Sequence, residues 1–246
     1  LVEMIVVMAI LAILAAAAAR PGLSPQAAAR VADLQLANRH FRLTYDAITA
    51  KPDERFDQAR ALIAFRLDNR DRLPIDWRSQ LNRIERGFGD ITGVQAAWQF
   101  RDYAAFQALP TRWFFKIDDQ DAGPREQWEL TSGAKVAAVW EPILITSGWE
   151  QQQETPGMHP KLKAQLKEYD GHAYYGLDIT IPADWKGQDI ALLFGAVDES
   201  CWVWVNGKAA GERLYQGGDD WKTPFAIPIT QTIDWGKPTQ TVIVRV

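Results

Sequence analysis

Leu1 to Ala19 is apolar at every position except Glu3, and an unbroken run of that kind leaves few folds open to a chain. As a helix rising about 1.5 Å per residue it would reach nearly 30 Å, the thickness of a bilayer's hydrocarbon core. A secretory signal would begin with basic residues and carry a shorter apolar stretch before a cleavage site. Here no Lys or Arg precedes Arg20, so the run is expected to stay with the working protein. An acid inside such a helix costs a few kcal/mol in lipid, which marks Glu3 as a functional position. A buried core helix is the plainer alternative, but a surface apolar on every side suits lipid or a helix bundle better.

Composition narrows the function classes. A net charge of −4 gives no basic excess for nucleic acid and no acidic tail for disorder, so no nucleic-acid partner is expected. The single cysteine, Cys201, excludes an internal disulfide and reads as a small buried hydrophobe. Tryptophan is unusual: there are 11, nine of them after residue 110. Large amphipathic rings build β cores and also stack on sugars, so their number alone does not choose between the two.

The run Leu1-Val2-Glu3-Met4-Ile5-Val6-Val7-Met8-Ala9-Ile10-Leu11-Ala12-Ile13-Leu14-Ala15 resembles the start of mature type IV pilins and pseudopilins. The resemblance implies insertion in the inner membrane before assembly, then bundling with identical subunits in the core of a helical filament at the cell surface. Glu3 would pair with a neighbouring subunit's N-terminal ammonium, amid Leu1, Val2, Met4 and Ile5. A buried charge is tolerated when a partner neutralises it and strongly penalised when unpaired, so the pair would select the axial register. Ala15–Ala19 would permit close helix approach. The family begins with an aromatic and a Thr-like residue before this Leu, so two mature residues are expected to be missing. Ala12 stands where the family often has Gly, and Pro21 comes one residue late.

Residues 24–110 read as helical. Arg20-Pro21-Gly22 interrupts the first run, and Ser24-Pro25 supplies an N-cap followed by Pro at the first helical position. Val31, Leu34, Phe41, Tyr45 and Ile48 then recur on one face. Lys51-Pro52-Asp53 stops that helix and caps a second, carrying Phe56, Leu62, Ile63 and Phe65. A third helix is expected around Trp77, Leu81 and Ile84, and a fourth from Asp90 with Val94, Trp98 and Phe106. Asp68-Asn69-Arg70-Asp71-Arg72 reads as a solvated turn. His40 has no Cys, His or carboxylate at metal-ligand spacing and reads as structural.

After Pro110 short runs of Val, Ile, Trp, Tyr and Phe stand between Gly, Pro and Asp: Trp113–Ile117, Val136–Trp140, Tyr174–Ile181, Asp189–Phe194, Trp202–Val205, Phe225–Ile229 and Thr241–Val246. Seven such runs predict an all-β sandwich. In Trp202-Val203-Trp204-Val205 the rings share one face and the valines the other, and Asn206-Gly207 signals a hairpin turn.

Several ordered motifs of this half are similar to the sugar-binding jelly roll of family 2 glycoside hydrolases, a galactose-binding-like fold. They are Tyr169-Asp170-Gly171 with Tyr174-Tyr175, Ile181-Pro182 with Trp185-Lys186-Gly187, Leu193-Phe194-Gly195-Ala196-Val197-Asp198, Val205-Asn206-Gly207-Lys208 with Gly211, and Thr241–Val246. The family's usual continuation past the last strand is absent, so the sandwich is expected to be incomplete or completed differently. In those hydrolases the catalytic carboxylates lie on a separate barrel domain. The resemblance therefore implies a module without its own catalysis, and the expectation is that the chain is not an enzyme. Asp198 and Glu199 are adjacent in what reads as a strand end, where neighbours point to opposite faces. They do not make the convergent pair, about 5 Å apart, that retaining hydrolysis needs. His159 and His172 lack catalytic or metal spacing, and no cofactor or metal is implied.

Sugar sites stack an aromatic face on the pyranose and bracket it with polar acceptors. Tyr215-Gln216-Gly217-Gly218-Asp219-Asp220-Trp221 has that composition in an expected loop, as does Trp149-Glu150. The candidate glycan residues are Trp149, Tyr215, Asp219, Asp220 and Trp221, with surface glycans as a possible partner class. The whole reads as an α+β multidomain chain. Residues 1–23 form a pilin-like assembly or transmembrane helix, 24–110 a helical domain, and 111–246 a galactose-binding-like β-sandwich. Its expected function is that of an extracellular pilus-like filament subunit displaying the sandwich. The alternatives are a membrane-anchored carbohydrate-binding protein and a non-catalytic relative of a glycoside hydrolase.

Overall fold

The computed structural model describes Ala16 and residues 22–51, 54–73 and 92–246. The proposed assembly residues Leu1, Val2, Glu3, Met4 and Ile5 lie outside the described residues, as do Asp53 and the expected third helix around Trp77. Among the described residues no helix is long and apolar enough to cross a membrane, and most of the expected N-terminal helix, residues 1–23, lies outside them. The chain divides into two compact units with the boundary between Ala104 and Ala105.

In the first unit α1 spans Pro25–Thr49, α2 Arg55–Asp68 and α3 Thr92–Gln99. Helix α1 starts where Ser24 Oγ accepts the Ala27 N–H at 3.3 Å, with Pro25 in the first turn, satisfying one of the orphan donors of the helix end. Ala47, Ala59 and Ala97 are buried with Leu62, Ile63 and Val94 in one cluster. Small residues at these positions let the three helices approach closely. Val31 and Ile48 are buried on α1 as the periodicity predicts. Glu54, not Asp53, stands at the N-cap of α2 and makes no side-chain cap. The expected fourth helix stops at Gln99, short of Phe106: Arg101 turns back, donating to the Trp98 carbonyl at 2.9 Å with its guanidinium 4.4 Å from the Trp98 ring centroid. His40 Nε2 accepts a hydrogen bond from Nε of the buried Arg66 at 2.9 Å, a role open only to the neutral imidazole.

The second unit is built on strands β1 (Arg112–Asp118), β2 (Glu141–Leu144), β3 (His172–Ile179), β4 (Ala191–Phe194), β5 (Cys201–Val205), β6 (Lys208–Arg213), β7 (Phe225–Pro228) and β8 (Gln240–Arg245). Six of them form a sheet in the order β2-β1-β3-β8-β5-β6, and β4 pairs with β7 in a second sheet. Every pairing is antiparallel. Side chains alternate across the large sheet as period two requires. Trp113, Phe115, Leu177, Val203, Val205, Val242 and Val244 face Leu192 and Ile227 of the small sheet and form the main core. Phe114, Tyr174, Trp204 and Ile243 face the other way, against Trp128, Val136 and Trp140.

That second layer departs from the sequence expectation. Val136–Trp140 is not a strand: Gly133–Val139 is helix α5, following the short α4 at Ala122–Glu126. Its Ala-rich sequence favours helix, and Val136 and Trp140, four apart, both reach the sheet. Gly176 on β3 makes room for them, since a Cβ there would stand 2.7 Å from Val136 Cγ1 and 3.2 Å from Trp140 Cζ3. Strands β2 and β6 went unpredicted, and both are edges of the sheet. An edge strand can be short and polar because one of its sides faces solvent. Asn206 and Gly207 both take positive φ, 54° and 76°, as the hairpin turn requires.

Candidate functional site

Loop Tyr215–Trp221 follows β6 and is held at several points. Arg213 Nη2 lies 2.6 Å from Asp220 Oδ1, with both side chains mostly buried, and the guanidinium sits 4.7 Å over the Phe225 ring. Asp220 Oδ2 accepts the Gln216 N–H at 3.0 Å. The Tyr215 N–H donates to Ser200 Oγ at 2.9 Å and its hydroxyl to the Gly218 carbonyl at 2.9 Å. Gly217 and Gly218 supply φ values of 99° and 62°, which a side chain would oppose. Asp220 is therefore a staple of the loop, whereas Asp219 pairs with Lys222 at 3.0 Å on the surface.

Trp221 is the only exposed tryptophan among the described residues, at 37%. Its carbonyl accepts the Val197 N–H at 3.2 Å, and Lys222 Nζ sits 4.5 Å from its ring centroid. The loop thus presents one large ring, a carboxylate and an ammonium side by side on a stapled backbone. A pyranose offers an apolar face for the ring and hydroxyls for the charged groups.

Trp149 lies at the start of the 3-10 helix Trp149–Glu154. Its indole donates to the Tyr175 hydroxyl at 2.6 Å, and its ring lies 5.9 Å from Phe115 and 5.4 Å from Tyr169. Burial drives the Tyr175 hydroxyl well above the ordinary tyrosine range, and the bond from Trp149 works against that rise. The tryptophan excess goes mostly inward. Trp128, Trp140 and Trp204 surround Tyr174 with ring centroids 5.3–6.4 Å away, and burial pushes the Tyr174 hydroxyl up to about 12. Sequence reasoning missed this layer, since the signal that joins its rings is their shared side of the sheet.

Asp198 and Glu199 are exposed in the loop between β4 and β5, Glu199 with φ 61°, so strand alternation does not apply to them. His159 Nδ1 accepts the Lys161 N–H at 3.2 Å, capping helix α6 (Pro160–Gln165), and His172 is exposed at the start of β3. Cys201 is fully buried, and burial raises its thiol to about 11. Among the described residues no group of three or more His, Cys, Asp or Glu is placed to hold a metal ion.

Residues 106–246 match the family described as glycosyl hydrolases family 2, sugar binding domain. Similar solved structures include β-glucuronidase from Ruminococcus gnavus, at 20% identity over 59% of this chain and 22% of that one, TM-score 0.46. Another is the β-glucuronidase of an uncultured Clostridium sp., at 20% identity over 57% and 21%, TM-score 0.45. The chain therefore spans about a fifth of the length of those structures. The family match overturns the expectation that the chain is not an enzyme, because residues 106–246 match a domain described for glycosyl hydrolases. Through residues 106–246 the chain belongs to the family of sugar-binding domains of family 2 glycosyl hydrolases.

Proposed function

We propose that the second unit serves a family 2 glycoside hydrolase by holding the sugar, with the loop Tyr215–Trp221 as its contact surface. The family match over residues 106–246 carries this reading, and the exposed Trp221 beside Asp219 supports the choice of loop. Trp221 would stack on a pyranose while Asp219 and Lys222 bond its hydroxyls; Tyr215 and Asp220 would keep the loop in shape. The activity so served is cleavage of a glycosidic bond, for which retaining enzymes bring two carboxyls to about 5–5.5 Å. A titration of the ¹⁵N-labelled full chain with monosaccharides and p-nitrophenyl glycosides tests it. Shifts of the Trp221 indole and the 215–221 amides are expected, with a loss of about tenfold in affinity for Trp221→Ala, the lower range of an aromatic stacking contact. Shifts confined to other residues, or unchanged binding by Trp221→Ala, would overturn the assignment.

A second reading rests on the apolar run Leu1–Ala19 alone. In it the run inserts in the inner membrane, then joins copies of itself in an extracellular filament, Glu3 pairing across subunits. Electron microscopy of the full chain decides between uniform fibres and dispersed particles, and Glu3→Ala should abolish the fibres.

A further inference from the structure

Two loops of the second unit cross side by side between its sheets. One joins β4 to β5 through residues 195–200, and the other joins β6 to β7 through residues 214–224. Their ends are paired. Phe194 stands opposite Phe225 on the small sheet, the two rings stacked with centroids 4.9 Å apart, and Cys201 stands opposite Arg213 on the large one. Two hydrogen bonds tie the loops together between those ends. The Val197 N–H donates to the Trp221 carbonyl at 3.2 Å, and the Tyr215 N–H donates to Ser200 Oγ at 2.9 Å. These bonds meet the first and last residues of the candidate saccharide loop. The longer loop takes up its extra length in the turn at Gly217 and Gly218, both at positive φ. Asp198 and Glu199 lie between the two tied points, so the loops form one antiparallel element with these residues opposite the middle of the saccharide loop.

The carboxylates of the two loops differ in what they have left to offer. Asp219 is paired with Lys222 at 3.0 Å and Asp220 with Arg213 at 2.6 Å. Asp198 and Glu199 are exposed and, among the described residues, in no ion pair. A carboxylate without a cation keeps its lone pairs for hydroxyl donors and its full charge against an anion. We infer that the β4–β5 loop is the second wall of the saccharide site and that Asp198 and Glu199 set its substrate class, accepting the hydroxyls of neutral pyranosides and excluding uronates. Ser200 is the positioning residue of this wall, since its hydroxyl fixes where the saccharide loop begins. The assignment deepens the saccharide reading and rests on it.

The test titrates the ¹⁵N-labelled full chain at low salt with methyl β-D-glucopyranoside and with methyl β-D-glucuronide. The glucoside is expected to shift the 197–200 amides together with those of 215–221. It should bind about fivefold more tightly than the glucuronide, the effect of two like charges acting through water at about 8 Å, and the gap should shrink at about 0.5 M salt. Asp198→Asn combined with Glu199→Gln, at two exposed positions, should keep the fold and bring the two affinities within about twofold. Ser200→Ala should raise the mobility of the Trp221 amide, read from its ¹H–¹⁵N NOE with no sugar present, and Ser200→Thr should restore it; an unchanged NOE refutes the positioning role. If neither sugar moves the 215–221 amides, the saccharide reading falls and takes the substrate class with it. If those amides move while 197–200 stay still, the saccharide reading survives and the second wall is overturned. Equal binding of the glucuronide, or an undiminished gap in the double variant, overturns it in the same way.

Discussion

Gly176 is the position at which the layer over the outer face of the sheet can be broken most cleanly. It sits mid-strand on β3, opposite Phe114 on one side and Ile243 on the other. An added methyl would meet Val136 Cγ1 at 2.7 Å, Ile243 Cδ1 at 3.1 Å and Trp140 Cζ3 at 3.2 Å. Two effects oppose each other in Gly176→Ala. Removing a glycine from a strand interior gains about 0.5–1 kcal/mol of chain entropy. Forcing a methyl into a filled core costs about 1–3 kcal/mol, and the nearest atom belongs to a β-branched side chain with little rotamer freedom. Overpacking wins, leaving the variant about 1–2 kcal/mol less stable, a fall in melting temperature of roughly 3–8 °C for a unit of this size. Urea unfolding of the full chain, followed by tryptophan fluorescence, measures it. Val136→Ala removes the atom in the way, so the double variant should be more stable than the sum of the two single effects by about 0.5 kcal/mol or more. A Gly176→Ala protein as stable as the parent, or strict additivity with Val136→Ala, would refute the argument that Gly176 is required for α5 to lie on the sheet.

Two further outcomes follow from buried polar groups. Gln152 is fully buried and donates to the carbonyls of Leu144 and Ser147 at 2.8 and 2.9 Å, while its own oxygen accepts from the Leu144 N–H at 3.1 Å and from the Thr155 hydroxyl. Gln152→Met strands those partners, and at about 1–3 kcal/mol for each unsatisfied group it should destabilise by roughly 3 kcal/mol or more, read as a lower urea midpoint. His40 falls from its ordinary 6.5 to about 4, through burial first and the Arg66 charge second. A histidine with a depressed folded value binds fewer protons folded than unfolded. Its contribution is thus complete above about pH 6.5 and is lost as pH falls through about 4, on the order of 1–3 kcal/mol. His40→Gln keeps an acceptor for Arg66 and removes the titration, so its stability should gain on the parent's steadily from pH 6.5 to pH 4. Parallel curves for the two proteins would dispose of the linkage.

Much of the β half was legible because its signals are local. Alternation along Trp202–Val205 placed rings and valines on opposite faces, Asn206-Gly207 announced its turn, and Ser24-Pro25 announced the start of α1. The loop Tyr215–Trp221 was legible as a loop by composition alone. Which of its residues shape it and which face outward was not: Asp219 and Asp220 are neighbours of one type, and only the position of Arg213 makes Asp220 the staple. Trp149 and Trp221 likewise read alike in sequence, yet one packs against Phe115 and Tyr169 and the other meets solvent.

Taken by itself, the order of residues fixed the hairpin turn at Asn206-Gly207, the start of α1 and the family of residues 106–246, because each depends on neighbours a few positions apart or on motifs in a set order. The tertiary structure decided that Gly133–Val139 is helix, that β2 and β6 close the edges of the large sheet, and that a single described tryptophan stays exposed. Those outcomes depend on what covers each face of the sheet. A covering layer is drawn from segments distant in sequence, and their burial outweighs any preference a short run of residues carries alone.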